Sequence, residues 1–145
     1  MDTLIIRITT DNQVICEKFP QEENNSDKYK VTDLIKAGCI FYERFVPYKL
    51  LELIGNMDSN HKISMIAEDP DVAFEYYSLN RGATWLNAGI CIFGNVWIVG
   101  EKSTTDGYVF SGISENVIGH LKRELERVVL AVQIQQVERL LKMLR

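Results

Sequence analysis

Apolar positions are densest in TWLNAGICIFGNVWIVGEKS, residues 84–103, where two apolar runs meet at Gly94-Asn95. A Gly-Asn pair suits a two-residue type II′ hairpin, because glycine takes the positive φ of the first corner. In the register this corner sets, Phe93 faces Val96, Cys91 faces Ile98, Gly89 faces Gly100 and Asn87 faces Lys102 on one side. Ile92/Trp97, Ile90/Val99, Ala88/Glu101 and Leu86/Ser103 occupy the other. Both faces are largely apolar, so the pattern predicts a hairpin in the middle of a sheet covered on both sides.

Residues Thr3 to Phe19 alternate around a second corner, Asp11-Asn12. Leu4, Ile6, Ile8, Ile15 and Phe19 then share one face while Arg7, Thr9 and Lys18 share the other, the pattern of a hairpin nearer the sheet edge. The following PQEENNSDKYK is too polar to bury surface and reads as a mobile loop. VTDLIKAG predicts a short helix over Thr32–Ala37, stopped at Gly38. CIFYERF, within 39–45, stays open between helix and strand. Pro47 starts a clearer helix, with Leu50, Leu51, Ile54 and Met57 on one stripe and an end near Asn56. HKISMIAE reads as a short strand or extended connector. Asp69-Pro70 then caps a helix over DVAFEYYSL that Asn80-Arg81-Gly82 terminates, although its residues are also β-prone, so 70–79 remains helix or strand. Asp106-Gly107 folds Tyr108–Ser111 back beside Glu101–Thr105, completing a three-strand meander.

From Ser114, a good N-cap, to the C-terminus only Gly119 weakens a long helix. At 1.5 Å per residue it would be roughly 45 Å long, more than the width of a domain of this size, so part of it must project. Ile118, Leu121, Leu125, Val128 and Val132 form one stripe. Leu130, Ile134, Val137, Leu141 and Leu144 form a second at 4-3-4-3 spacing, offset by about 200° around the helix. One stripe can lie on the sheet while the other points away, and the intervening VVLAV is apolar on every side. A projecting stripe of Leu and Ile left in water is an aggregation hazard, so the pattern predicts a homodimer joined by this helix. The alternative is a break near Gln133 that folds the helix back on its own core.

The expected fold class is therefore α+β: about five antiparallel strands, made of an N-terminal hairpin and a C-terminal meander, with short helices between and a long terminal helix. Residues 1–113 make the sheet domain and 114–145 the helix. This element order resembles that of PAS-like sensory domains and, more loosely, of GAF and profilin-like folds. The resemblance implies a small-molecule space between sheet and short helices.

At 145 residues one core is the default. A net charge of −4 with scattered Lys and Arg gives no basic stripe for phosphates, which argues against a nucleic-acid partner. Three widely spaced cysteines, Cys16, Cys39 and Cys91, suit a reduced compartment without disulfides. The N-terminus carries no basic and apolar leader, and no run approaches a membrane span, so a cytoplasmic protein is expected.

Candidate chemistry is sparse. Facing glycines Gly89 and Gly100 would leave a notch bordered by Asn87 and Lys102, where backbone can approach a ligand; strand glycines equally let another element pack tightly. Tyr76, Tyr77, Trp85 and Trp97 can line a pocket or fill core. Glu68, Asp69 and Asp71 suit the first turn of a helix better than a metal site. His61 and His120 have no companion ligand at metal spacing. GNVWIVGEKST fails as a phosphate loop because Glu101 interrupts the glycine and lysine, and no nucleophile elbow or Cys/His pairing stands out.

The expected function is a non-enzymatic binding or sensor-like module, dimerised through Leu130, Ile134, Val137, Leu141 and Leu144. Gly89, Gly100, Asn87, Lys102, Tyr76 and Arg81 are its candidate ligand residues, and its ligand is a small molecule or a partner protein. No metal and no specific cofactor is implied. One alternative is an acidic inhibitor, immunity or adaptor protein using Glu22, Glu23, Asp69 and Asp71. Another is a small enzyme whose residues converge only in three dimensions.

Overall fold

The computed structural model describes residues 4–18, 42–54, 62–105 and 107–144. The helix expected at Thr32–Ala37, the acidic segment before it and His61 lie outside the described residues. Along the chain run β1 (Leu4–Ile8), β2 (Val14–Lys18), β3 (Tyr42–Phe45), α1 (Tyr48–Ile54), β4 (Lys62–Glu68), α2 (Pro70–Tyr76), α3 (Arg81–Leu86), β5 (Val96–Thr104), β6 (Gly107–Ser111) and α4 (Glu115–Met143). The fold is α+β with one six-stranded antiparallel sheet of order β2-β1-β5-β4-β3, in which β6 also pairs with β5.

β5 holds the sheet together. One of its edges pairs with β4, from Lys62↔Glu101 to Ile66↔Trp97. Its other edge is shared: Val96–Ile98 pair with β1 and Gly100–Thr104 with β6. The Ile113 N–H donates to the Leu4 carbonyl at 2.7 Å and ties the end of β6 to the start of β1. Alternation along β5 sends Val96 and Ile98 to the face covered by helices, and Trp97 and Val99 to the opposite face with Ile5 and Ile66. The expectation of a strand with two apolar faces at the centre of the sheet thus holds for residues 96–99, whereas Glu101 is ion-paired and Lys102 is exposed.

It fails for the arm before it. Residues 81–86 are helical, and Asn87–Cys91 return as a loop with Ala88 at φ 55° and Gly89 at φ 85°. Gly94 does take a positive φ, 84°, yet its N–H donates to the Ser78 carbonyl and joins no hairpin partner. A short apolar run is ambiguous between a strand and a buried helix. Here the helix wins because Ala83, Leu86 and Ile92 all reach the core from a helix and its return loop. Asn80 and Gly82, expected to stop α2, instead open α3: Asn80 is its N-cap and Gly82 lies buried inside it.

The strands that complete the sheet are the two left open. β3 pairs with β4 through Tyr42↔Glu68 to Phe45↔Met65, and β4 lies inside the sheet with Ile63, Met65 and Ala67 facing the helices. Helices consequently alternate with strands in the second third of the chain and do not form one block between two hairpins. The N-terminal hairpin shows Ile8↔Val14 and Leu4↔Lys18, a one-residue slip from an Asp11-Asn12 corner. Thr9 causes it: its backbone N–H donates to the Gln13 carbonyl and its hydroxyl accepts from the Gln13 N–H, closing a longer turn. A one-residue slip exchanges faces, so Val14, in place of Ile15, packs on the core with Ile6 and Ile8. The β5–β6 hairpin forms with Thr104↔Gly107 paired, so its two-residue corner lies one residue earlier than expected and the pairing shifts by two, an even shift that leaves the strand's alternation unchanged.

α4 covers the sheet with Val117, Leu121, Leu125 and Val129, an i,i+4 row that buries one face of the first half of the helix. The row departs from the expected stripe by one residue at both ends, with Val117 and Val129 buried and Ile118, Val128 and Val132 only half-buried. Ser114 takes the N-cap position without a side-chain hydrogen bond. His120 Nε2 donates to the Leu53 carbonyl at 3.1 Å and holds α1 against α4.

Candidate functional site

Asn80 sets the geometry on one side of the molecule. The residue is fully buried and every polar group it has is used. Its Nδ2 donates to the Ile8 and Gly94 carbonyls, both at 2.9 Å, and its Oδ1 accepts from the Ala83 N–H at 3.0 Å. Its own N–H donates to the Ile92 carbonyl and its carbonyl accepts from Thr84. One side chain therefore binds the end of β1, the start of α3 and the approach to β5. Beside it, the Thr10 N–H donates to Asn95 Oδ1 at 3.2 Å, joining the β1–β2 turn to the start of β5.

These junctions frame a cleft of about 380 Å³ lined by Thr10, Glu68, Tyr76, Tyr77, Ser78, Gly94, Asn95 and Trp97. Tyr76 is 72% exposed and forms an outer wall, while Trp97 and Glu68 form a buried floor. The Trp97 indole N–H finds no hydrogen-bond partner among the described residues. Aromatic walls with a few polar groups are the ordinary make-up of a small-molecule site, although 380 Å³ is near the lower end of that range. Three of the four aromatics expected to line a pocket or fill core, Tyr76, Tyr77 and Trp97, meet here. Trp85 does not; it lies under Lys49, whose Nζ stands 4.2 Å from the ring centroid and donates to the Trp85 carbonyl.

The other expected ligand residues are dispersed. Gly89 is exposed in the loop after α3, and Gly100 is buried in β5, so the two do not face each other and the notch does not exist. Gly100 serves close packing instead: a Cβ built there would stand 2.2 Å from the Gly112 carbonyl oxygen. Asn87 is the C-cap of α3, donating from Nδ2 to the Ile90 carbonyl at 3.3 Å. Arg81 is exposed at the first turn of α3, and Lys102 is exposed on β5 opposite Val109. Of the six, Tyr76 alone reaches the cleft. Thr10, Ser78 and Asn95 carried no signal in the sequence, since their convergence depends on the Asn80 junction.

On the outer sheet face, Arg44 of β3 forms a two-pronged ion pair with the buried Glu101 of β5, with Nη2 donating to Oε2 at 2.8 Å. Arg44 holds the Glu101 carboxyl below the usual glutamate range despite the opposing effect of burial, and Lys62 adds to the lowering. The pair spans β4 without sharing a cavity with the cleft, which marks it as structural. Among the described residues no group of three or more His, Cys, Asp or Glu side chains stands close enough to hold a metal ion. None of the described helices is long and apolar enough to cross a membrane.

The second feature is the far half of α4. Leu130, Ile134, Val137, Leu141 and Leu144 are 57, 50, 55, 54 and 83% exposed, and Leu140 and Met143 beside them are 53 and 80% exposed. No residue from Leu130 to Leu144 is buried, so the helix does not fold back at Gln133. Between its start and the β1–β2 turn runs a groove of about 360 Å³ lined by Asn12, Gln13, Val14, Ile15, Glu126, Val129, Leu130 and Gln133. Comparison with family models, with curated proteins and with solved structures returns no match. The functional reading therefore stands on the geometry alone.

Proposed function

We propose that the protein is a non-enzymatic binding module that works as a homodimer joined by the second half of α4. The observation that carries this is the change of environment along one helix. Val117, Leu121, Leu125 and Val129 are buried on the sheet, whereas the regularly spaced Leu130, Ile134, Val137, Leu141 and Leu144 lie in water. Apolar side chains at 4-3-4-3 spacing form a continuous seam suited to a second helix, and an exposed apolar surface of this kind marks an association site in a soluble chain.

In this reading the Tyr76–Trp97 cleft is the place for a small ligand, and α4 carries its effect to the joined subunits. Light scattering on the intact chain at micromolar concentration should give twice the monomer mass, and Ile134→Glu with Leu141→Glu should give monomers that keep the native circular dichroism spectrum. A monomeric wild-type chain would remove the proposal. Native mass spectrometry of the freshly purified protein tests the ligand: extra mass lost on Tyr77→Ala supports the cleft, and extra mass retained by that variant excludes it.

A further inference from the structure

We infer that the cleft beside Tyr76 takes an uncharged, planar one- or two-ring compound whose hydrogen-bond acceptor meets the Trp97 indole N–H. The inference rests on the cleft reading proposed above and names the chemistry of its ligand.

The hydrogen bonds around the cleft leave one inner group over. The Gly94 N–H donates to the Ser78 carbonyl at 2.9 Å, the Gly94 carbonyl accepts from Asn80 Nδ2 at 2.9 Å, and Asn95 Oδ1 accepts from the Thr10 N–H at 3.2 Å. Glu68 is likewise engaged within the protein. Of the described buried side-chain atoms that lack a hydrogen-bond partner, only Trp97 Nε1 belongs to a residue lining this cleft. Trp97 is 3% exposed, so its N–H has left bulk water without gaining an acceptor among the described residues. A buried donor left unpaired is destabilising, and an indole nitrogen can only donate. Its complement is an acceptor carried in by the ligand.

Shape and charge narrow the class. The rings of Tyr76, Tyr77 and Trp97 border a space of about 380 Å³, which suits a small compound near the lower end of ligand sites. Backbone braces one wall: Gly94 has φ 84°, and a Cβ built there would stand 3.3 Å from Tyr77 Cγ. Aromatic walls favour flat partners, which stack on a ring face or abut its edge. No described Lys or Arg lines the cleft. Arg7, opposite Trp97 on β1, pairs instead with Glu17 at 3.3 Å. An anion would therefore enter beside Glu68 without a compensating cation, and burial of an unpaired charge is opposed. A ring protonated at its acceptor nitrogen fits no better, because it has lost the lone pair that the Trp97 N–H requires.

Indole and benzimidazole are suitable probes: they share a shape and differ by one acceptor nitrogen. Each is titrated into the full chain above neutral pH, where benzimidazole is uncharged, and followed by NMR of isotope-labelled protein, with Trp85→Phe telling the two tryptophan indole signals apart. Benzimidazole should bind about tenfold more tightly than indole, the scale of one hydrogen bond to a buried donor. It should also move the Trp97 indole proton downfield, which indole should not do. Trp97→Phe keeps a ring on the floor but removes the N–H, so it should abolish the difference between the probes. The proton shift is read on a chain that retains Trp97 and does not depend on how that variant folds. Equal binding of both probes, lost in Tyr77→Ala, would overturn the inference while leaving the cleft as a ligand site. Tighter binding of dimethylbenzimidazolium, a cation without an acceptor, would overturn it in favour of cation recognition by the rings. Tighter binding of a benzimidazole carboxylate would overturn it in favour of an anion. If none of these compounds moves a cleft signal at millimolar concentration, the inference and the cleft reading both fall.

Discussion

Replacing Asn80 is the most informative single perturbation of the fold. In Asn80→Ala, the Ile8 and Gly94 carbonyls lose donors at 2.9 Å and the Ala83 N–H loses its acceptor at 3.0 Å. Loss of the N-cap costs about 1 kcal/mol, and each amide bond to a buried carbonyl is worth about 1 kcal/mol net. The total is about 3 kcal/mol, a large share of the ~5–15 kcal/mol that holds a domain folded. For a chain of this size that lowers Tm by about 10 °C. Asn80→Asp keeps the cap acceptor but turns an oxygen towards both carbonyls, so ionisation is opposed and the folded-state pKa of the new carboxyl rises above its unfolded value near ~3.9. A raised carboxyl pKa means that the folded state binds the proton more tightly, so stability is greatest below the unfolded pKa and is lost as pH rises through the folded one. Urea unfolding followed by circular dichroism at fixed protein concentration, at pH 4 and pH 7.5, measures both effects. A loss under about 1 kcal/mol for the alanine variant, or an aspartate variant that is equally stable at the two pH values, would refute the assignment of Asn80 as the junction.

Gly100→Ala places a Cβ 2.2 Å from the Gly112 carbonyl oxygen, a backbone atom that cannot swing aside; a cost of about 2–3 kcal/mol in urea unfolding is expected, whereas the exposed Gly119→Ala, with open space around its Cβ, should be neutral or slightly stabilising. The Glu101 carboxyl is held low chiefly by Arg44, so its contribution is present above the ordinary glutamate range and disappears as pH falls through its lowered pKa. Glu101→Gln should flatten that acid limb, and an unchanged limb would show that other carboxylates produce it. Cys91 is exposed, whereas burial raises the Cys16 thiol, with Lys122 partly opposing. Peptide mapping after brief iodoacetamide treatment at pH 8 should find Cys91 labelled first, and faster labelling of Cys16 would contradict the position of α4 over β2.

Periodicity disclosed the elements in which local pattern and final environment agree. β5 shows its two apolar faces in VWIV, the first half of α4 shows its core row, and the second half shows a stripe that no core of its own subunit receives. Alternation at KISMIAE was visible too, but whether it paired on both sides depended on β3 supplying a neighbour across the sheet. The stretch 84–93 misled for a physical reason: leucine, isoleucine and tryptophan bury equally well from a helix or a strand, and Gly94 adopts a positive φ in a loop as readily as in a hairpin. The choice was made by Asn80, a residue whose role requires three segments to be present at once.

The cleft shows the same division. Its aromatics were apparent as aromatics, while Thr10, Ser78 and Asn95 became its rim only through hydrogen bonds between residues far apart in the chain. What the amino-acid sequence determined by itself is what depends on near neighbours: an α+β composition of elements, the faces of β4 and β5, and a terminal helix with two differently directed apolar stripes. The order of the strands, the one-residue slip of the first hairpin, the helical state of 81–86 and the dispersal of Gly89 from Gly100 were decided by tertiary structure. Each turns on which distant backbone groups remain to be hydrogen-bonded and which faces remain to be covered, and local periodicity carries no record of either.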